Sequence, residues 1–422
     1  MIRVLLGSWA LFLGMGLLMV GNGLQGSLLG VRGGIEGFST FWMSVVMSGY
    51  FAGFLVSSYV TPAFIRRVGH VRVFAALGST ISAALILYPA LADPIAWTVL
   101  RAIVGFCFCG VYITAESWLN SATTAANRGS ALSLYMLVQM TGVVAAQGIL
   151  TLGDPAGWIL FVIPSVLVSM AFAPILLSVT PAPAFATTKP MSFARIWEIS
   201  PLGCVGMFLT GGIFAAQFGM SAVYASQAGL SVSRIGLLIS TFYVGAVLFQ
   251  VPIGWISDRI DRRILILGAS TVGAAGGLVG AFGGADYETL LLAAFLVGGM
   301  SNPLYALLIA YVNDALDYED MAAASGRLLF LNGVGAIMGP LILGALMETV
   351  GPPAFWAFIA VVLALLAAYA GWRMTRRPST PVEDTSSYAP VFGIATPVTL
   401  EAVGEDMEYS GEDDGRLRAA GG

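Results

Sequence analysis

Twelve apolar runs, each about twenty residues long, constrain the fold of this chain more than any other feature. A run of this length crosses the hydrocarbon core of a bilayer as an α-helix. The runs are continuously apolar rather than alternating, which excludes a transmembrane β-barrel. We therefore predict an all-α integral membrane protein with twelve transmembrane helices. The predicted spans lie near residues 5–31, 39–61, 73–92, 95–119, 130–152, 156–179, 201–224, 235–257, 264–283, 289–312, 327–349 and 354–373.

The composition supports this assignment. Hydrophobic residues make up 58% of the 422 residues, and the mean hydropathy is +0.87. Charged residues make up 10%, whereas a soluble protein carries about 25%. We therefore expect a lipid bilayer around the chain. Because the formal net charge is −4 and the chain has a single Lys, we expect no nucleic-acid partner.

Catalytic and metal-binding patterns are absent from the sequence. The chain has no G-x-x-x-x-G-K-[ST] loop, no H-E-x-x-H and no G-x-S-x-G. Cys107, Cys109 and Cys204 lie inside apolar runs without C-x-x-C spacing, and the single histidine, His70, is interpreted as a solvated residue of a basic loop. We therefore expect that the protein is not an enzyme and that it binds neither a metal nor a cofactor.

The Lys and Arg residues are strongly biased towards alternate loops. With the N-terminus inside, fourteen of the nineteen fall in inner loops and two, Arg32 and Arg234, in outer loops. Arg101 lies within a span, and the remaining two follow residue 377. By the positive-inside rule, both termini are predicted to be cytoplasmic.

The longest internal polar connection, TPAPAFATTKPMSFARIWEISP, divides the spans into two sets of six. We assign an N-terminal six-helix bundle to residues 1–180, a cytoplasmic linker to 181–200 and a C-terminal six-helix bundle to 201–377. Residues 378–422 contain nine acidic residues and two Arg without an apolar period. This composition predicts a disordered acidic cytoplasmic tail.

The two halves show a weak internal repeat. A shift of 192 residues aligns Arg66 and Gly69 with Asp258 and Asp261. The same shift aligns Gln25 in the first span with Gln217 in the seventh span. Since these pairings fall at matching places, we predict two pseudo-symmetric bundles.

Several motifs together resemble the major facilitator superfamily and its YcaD-like bacterial permeases. The motifs are GWISDRIDRR between the eighth and ninth spans, RAIVGFCFCG in the fourth span, GNGLQGSLLGVR, RRVGHVRVF and ESWLNSATTAANRG. The resemblance covers about residues 1–375. Two departures stand out in the charged loops: Arg66 replaces the expected Asp in the first copy, and Asp261 replaces the expected Gly in the second copy.

The resemblance implies a secondary active transporter of the bacterial inner membrane that moves a small molecule by alternating access. It also implies protons as the coupling ion and a monomeric state. A non-transporting membrane sensor or a lipid flippase with the same architecture is the alternative. The substrate, the direction of transport and any partner of the tail stay open at this point.

The charged residues of the inner loops are predicted to form a latch that joins helix ends while the inner side is closed. Glu116 either pairs with Arg66 or Arg128 in this latch or titrates during proton coupling. The predicted latch residues are Arg66, Arg67, Gly69, Glu116, Arg128, Gly254, Asp258, Arg259, Arg262, Arg263 and Asp314.

Polar residues inside the spans are candidates for a central cavity between the halves. Arg101 is the strongest, because a charge within a span is costly and by default functional. Its alternative is an arginine that snorkels to the outer interface, and interhelical hydrogen bonds are the alternative for the uncharged residues. The candidates are Asn22, Gln25, Arg101, Gln139, Gln217, Asn302, Tyr305 and Asn332.

Overall fold

A computed structural model describes residues 9–123, 125–176, 191–283, 286–316, 318–376 and 388. The described regular structure is helical throughout. The helices are α1 Trp9–Ile35, α2 Thr40–Val68, α3 His70–Ala90, α4 Pro94–Ala122, α5 Ala125–Leu150, α6 Ile159–Leu176, α7 Phe193–Ile199, α8 Pro201–Ala215, α9 Ser221–Gln227, α10 Val232–Ser257, α11 Arg262–Phe282, α12 Tyr287–Asn313, α13 Tyr318–Val350 and α14 Ala354–Met374.

Eleven helical segments of the described chain are long and apolar enough to cross a membrane. One of them joins α8 and α9 through a π-helical turn, Ala216–Met220. The sixth predicted span corresponds to α6, an apolar helix of 18 residues that is also the most hydrophobic on average. Its described apolar part, Ile159–Pro174, is shorter than the other segments. An all-helical, multi-pass architecture therefore follows from the structure.

Several element boundaries differ from the sequence prediction. Helix α2 continues to Val68 rather than ending near residue 61, and α7 lies inside the predicted linker. Polar residues at the ends of apolar runs extend these helices because their side chains reach water while the backbone stays hydrogen-bonded. The linker as far as residue 190 and the predicted tail, apart from Tyr388, lie outside the described residues.

The loops alternate between two ends of the molecule. We call the end that carries the loops at Gly37, Asp93 and Gly229 the Gly37 end. We call the end that carries the loops at Gly69 and Asp258 the Asp258 end. Successive long helices run between these two ends, as expected for short connections between antiparallel neighbours.

The same helix pairs pack together in the first and the second half of the chain. Helix α2 packs on α4 as α10 packs on α12, α3 packs on α6 as α11 packs on α14, and α1 packs on α5 as α8 packs on α13. Glycines allow the closest approaches: a Cβ added at Gly105 would lie 1.9 Å from the carbonyl oxygen of Tyr50, and one at Gly298 would lie 2.1 Å from that of Phe242. The repeat read from the sequence is thus accompanied by repeated packing.

Contacts between the two halves concentrate towards the Gly37 end. Helix α2 packs on α13, α5 on α10 and α1 on α9. The hydroxyl of Ser48 donates to the carbonyl oxygen of Ile337 at 2.9 Å, and the backbone N–H of Phe41 donates to Oε2 of Glu348 at 3.1 Å. Nearer the Asp258 end, the rings of Tyr59 and Phe330 are 6.3 Å apart.

The interpretation of His70 as a solvated loop residue is wrong. His70 is the first residue of α3 and is buried, with its ring 6.3 Å from that of Trp118. The turn between α2 and α3 consists of Gly69 alone, so the next residue already faces the helix packing.

Candidate functional site

Two adjoining cavities lie midway along the helices. The first has a cavity volume of about 10 Å³, close to the space of a single water molecule, and is lined by Thr210, Ile213, Phe214, Gln217, Ser301, Asn302, Tyr305 and Asn332. The second has a cavity volume of about 20 Å³ and is lined by Phe51, Phe54, Leu55, Ser58, Phe214, Leu329, Asn332, Gly333 and Ala336. Since Phe214 and Asn332 line both cavities, the two spaces form one candidate site between the halves.

Gln217 organises the polar wall of the first cavity. Its Nε2 donates to Oγ of Ser301 at 2.6 Å, and its Oε1 accepts from Nδ2 of Asn302 at 3.2 Å. Gln217 belongs to the π-helical turn between α8 and α9. Such a turn leaves backbone groups outside the regular ladder and is frequent at functional sites. The wall is therefore a preorganised set of amide and hydroxyl groups.

Tyr305 and Asn332 complete this wall. The buried hydroxyl of Tyr305 has no hydrogen-bond partner within the described part of the chain. Nδ2 of Asn332 donates to the carbonyl oxygen of Met207 at 3.1 Å. A buried polar group without a partner is costly, so the Tyr305 hydroxyl is suited to binding a polar group inside the cavity.

The corresponding polar residues of the first half bond to one another instead, although Oε1 of Gln25 has no hydrogen-bond partner among the described residues. Nδ2 of Asn22 donates to the hydroxyl oxygens of Tyr50 at 3.1 Å and Tyr112 at 2.9 Å. Nε2 of Gln25 donates to Oδ1 of Asn22 at 3.2 Å. Asn22 and Gln25 are fully buried and line neither cavity. In this state their hydrogen bonds join helices α1, α2 and α4.

Arg101 is fully buried in α4, away from both cavities. Its guanidinium carbon lies 4.8 Å from the ring centre of Tyr50, and Nη2 lies 3.2 Å from Sδ of Met47. Nε and Nη1 have no hydrogen-bond partner in the described structure. Arg101 is therefore not a residue that snorkels to the surface, and its positive charge is stabilised chiefly by an aromatic face.

The sequence prediction and the cavities overlap only in part. Gln217, Asn302, Tyr305 and Asn332 line the first cavity, whereas Gln139 of α5 is buried and lines neither. The aromatic residues of the second cavity and the hydroxyl residues Thr210, Ser301 and Ser58 were missed. Ser301 precedes Asn302, which was a signal available in the sequence, but Thr210 and Ser58 have no such signal because hydroxyl groups are common in apolar helices.

Arg262 is the centre of a charged cluster at the Asp258 end. Its Nη1 lies 2.5 Å from Oδ1 of Asp314, and its Nη2 lies 3.8 Å from Oδ1 of Asp258. The side chain of Arg262 is 1% exposed and that of Asp314 is 4% exposed, so this pair is almost completely desolvated. It joins the start of α11 to the end of α12 within the second half of the chain.

The remaining charges of this loop also have local partners. Arg263 binds Asp261 with Nη2 to Oδ2 at 2.7 Å, and Arg259 lies over the ring of Trp255 at 4.0 Å. Burial by itself raises the pKa of Asp261, but hydrogen bonds from the side chain and backbone of Arg263 lower it overall below its ordinary value. Asp261 also caps α11 by accepting from the backbone N–H of Arg263.

The first charged loop is arranged differently. Arg66 and Arg67 are exposed at the end of α2, and Gly69 links α2 to α3 with a φ of 84°. Glu116 is buried in α4 and accepts from the hydroxyl of Tyr135 at 3.2 Å. The side chain of Arg128 lies outside the described residues, so its predicted pairing with Glu116 stays a prediction. Among the described residues, no group of three or more His, Cys, Asp or Glu side chains is placed to hold a metal ion.

Comparison with known proteins agrees with this architecture. The family model described as Major Facilitator Superfamily matches residues 202–401. The chain is 23% identical over 350 residues to the uncharacterized MFS-type transporter YcaD of Escherichia fergusonii, covering 81% of this chain and 90% of the relative. It is 24% identical over 332 residues to the uncharacterized MFS-type transporter Ent638_1421 of Enterobacter sp. (strain 638), covering 78% and 85%.

Solved structures share the fold. A crystal structure of the nucleoside transporter NupG, with a D323A mutation, superposes with a TM-score of 0.76 at 14% identity and covers 87% of this chain and 99% of that chain. The transporter FucP, in the outward conformation, superposes with a TM-score of 0.56 at 14% identity, covering 86% and 97%.

Proposed function

We propose that this chain, which belongs to the major facilitator superfamily, is a secondary transporter that moves a small polar molecule across the bacterial inner membrane by alternating access. In this proposal twelve transmembrane helices form two pseudo-symmetric six-helix bundles. The bundles rock about the midline site, so that the site opens to one side of the membrane at a time.

The observation that carries the proposal is a polar cavity of the second half at mid-depth, which adjoins a cavity lined by both halves. Gln217, Asn302 and Tyr305 offer both donors and acceptors to a bound molecule. Neither cavity is lined by a charged side chain among the described residues. This lining favours a neutral substrate with several hydroxyl or amide groups.

Alternating access is supported by the uneven contacts between the halves. The hydrogen bonds of Ser48 and Phe41 join the halves at the Gly37 end, so in this proposal the site is reached from the Asp258 end. Because the basic loops lie at the Asp258 end, we infer that this end is cytoplasmic and that the structure corresponds to an inward-facing state. Both chain termini are then cytoplasmic.

Proton coupling is a further part of the proposal. Glu116 is a buried carboxylate within α4 that receives a hydrogen bond from Tyr135. A buried carboxylate that changes its surroundings between two states changes its proton affinity, which links a proton to the conformational cycle. The alternative role of Glu116, in the charged latch, also requires its surroundings to change between the two states, because its partner in the latch is present in one state only.

The test is uptake into proteoliposomes of purified protein with and without an imposed pH gradient. Nucleosides and neutral sugars are the first compounds to screen, because NupG is named a nucleoside transporter and FucP a fucose:proton symporter. With a transported compound in hand, Gln217→Ala should reduce kcat/KM about tenfold or more, since it breaks the wall that orients Asn302.

Gln147→Ala is the matched control. Its amide donates within its own helix to the carbonyl oxygen of Val143 at 3.2 Å, and it lines neither cavity. This variant should retain uptake within about twofold of the unmodified chain, because the lost hydrogen bond lies within one helix and alanine keeps the backbone and Cβ of residue 147 that pack near Gly236 of α10. Equal losses in both variants would contradict the assignment of the substrate site. No uptake of any compound under either gradient would contradict the transport function.

The latch is tested with Asp258→Asn. The variant should insert into the membrane at the normal level but transport more slowly, because Asp258 is exposed and its charge acts on Arg262 rather than on folding. Unchanged transport at equal expression would contradict the latch. Glu116→Gln should abolish the effect of the pH gradient if Glu116 carries the proton.

A further inference from the structure

One residue of the C-terminal tail makes a specific contact with α10. The backbone N–H of Tyr388 donates to Oδ1 of Asp258 at 2.8 Å, and its hydroxyl oxygen accepts from Nε2 of Gln250 at 2.6 Å. The ring lies on Gly254, where an added Cβ would be 2.6 Å from Cδ1 of Tyr388. Residues four apart lie on the same side of a helix, so Gln250, Gly254 and Asp258 form one surface, which we call the tail-docking face.

The tail-docking face continues a surface that contacts the other half of the protein. Gly236 precedes Gly254 by eighteen residues, which is five turns at about 3.6 residues per turn. A Cβ added at Gly236 would lie 3.0 Å from the carbonyl oxygen of Gln147 in α5. At the Gly37 end this side of α10 therefore packs on α5, and at the Asp258 end the same side of α10 is covered by Tyr388.

We propose that Tyr388 is a wedge that keeps α5 from packing on α10 at the Asp258 end. The inference rests on the proposed alternating-access function. Closure of the Asp258 end requires the two halves to meet there, as they already do at the Gly37 end. Because Tyr388 occupies the surface of α10 that turns towards α5, the docked tail favours the state that is open at the Asp258 end.

The tail-docking face can be covered either by the ring of Tyr388 or by a neighbouring helix. Gly254 has no side chain, so either an aromatic ring or a neighbouring helix can approach the backbone of α10 closely. Oδ1 of Asp258, which accepts from Tyr388, is also 3.8 Å from Nη2 of Arg262. When the tail leaves, this oxygen becomes available to Arg262, so tail docking and the charged cluster at Asp314 are coupled.

Docking itself is tested by disulfide cross-linking of the full chain. Gly254→Cys is combined with Tyr388→Cys in membranes, and the tail carries a protease site inserted after residue 380. Because Cys107, Cys109 and Cys204 are buried, they should not compete for the new thiols. After oxidation and cleavage, the tail should stay attached until a reductant is added. The matched control pairs Gly254→Cys with Tyr409→Cys, and equal cross-linking of both pairs would overturn the docking.

The wedge is tested by measuring how fast a cysteine in the second cavity reacts with a maleimide. Ser58→Cys places a thiol in the second cavity, and a membrane-impermeant maleimide is applied to inside-out vesicles. Tyr388→Ala should slow labelling at least about threefold, because removal of the ring lets the Asp258 end close more often. Tyr388→Phe keeps the ring and should label within about twofold of the parent. Tyr409→Ala should not change labelling.

Equal labelling rates for Tyr388→Ala and its parent would overturn the wedge even if the cross-link forms. These measurements need no substrate. A lack of transport with every tested compound would therefore contradict the proposed function, whereas the wedge is decided by cross-linking and labelling alone.

Discussion

The two charged loops at the Asp258 end occupy equivalent places in the repeat but are stabilised in different ways. In the first loop, a single glycine at a φ of 84° makes the turn, and the adjacent Arg66 and Arg67 are exposed. In the second loop, Asp261 caps α11 and Arg262 forms a desolvated ion pair with Asp314. The first loop thus depends on backbone conformation, whereas the second depends on charge.

The difference explains why the second loop can carry Asp261 where the first loop carries Gly69. Asp261 stands where Gly69 stands in the first copy, and its φ is −56°, which any residue can adopt. With no need for glycine, this position can carry a carboxylate that caps the next helix. The two halves can therefore share the same order of helices and turns while different interactions stabilise the equivalent turns.

The largest expected effect is at the ion pair. Asp314→Ala removes the carboxylate that lies 2.5 Å from the buried guanidinium of Arg262, so unfolding should become easier by about 3 kcal/mol. The double substitution Arg66→Gln and Arg67→Gln should change stability by less than about 0.5 kcal/mol, because both side chains are exposed. Thermal unfolding in detergent measures both.

A double variant, Arg262→Met with Asp314→Leu, sharpens this test. It removes both charges at once and should recover much of the loss caused by Asp314→Ala, because a pair of apolar side chains leaves no uncompensated charge. If the single and double variants unfold at the same temperature, the buried pair is not the reason for the stability of the second loop.

The next largest effect exchanges the residues at the two turns. Gly69→Asp forces a side chain into a backbone conformation with φ 84° and ψ 160°, which only glycine adopts readily, and should cost about 2 kcal/mol. The reverse change, Asp261→Gly, loses the cap of α11 and the ion pair with Arg263 and should cost about 1 kcal/mol. The reverse order of unfolding temperatures would contradict the distinction between a backbone turn and a charged turn.

The smallest effect is a pH dependence confined to the second loop. The pKa of Asp261 is lower in the folded protein than its ordinary value, so its carboxylate stabilises the fold above that ordinary value. This contribution should decrease as the pH falls below about 4 and be lost once the pH has passed the lower pKa of the folded state. Asp261→Asn should therefore lower the unfolding temperature more at pH 6 than at pH 3. Equal shifts at both pH values would contradict the assignment.

The sequence predicted only some of the residues that line the candidate site, and the reason is physical. The hydropathy of a run and the spacing of Asn22 and Gln25 are local properties, and they correctly place polar groups within spans. Whether such groups face a cavity or a neighbouring helix depends on which helix packs next to them. Gln25 and Gln217 are equivalent in the repeat, yet Gln25 donates to Asn22 of its own helix and lines neither cavity, whereas Gln217 lines the first cavity from a π-helical turn.

The contact of Tyr388 with α10 had no signal in the sequence. An acidic segment without an apolar period predicts disorder, and one tyrosine within it does not alter that composition. The partner surface on α10 is created by a glycine flanked by Gln250 and Asp258, which are assigned separately to a span and to a loop.

The sequence by itself determined that the chain is a helical membrane protein with a repeated pair of halves, because a continuous apolar run satisfies its backbone within its own helix whatever surrounds it. The tertiary structure alone decided which of the polar residues line the cavities, which charges are buried in pairs and what covers α10. These properties depend on contacts between residues far apart in the chain, and such contacts are set by how the helices pack rather than by either residue alone.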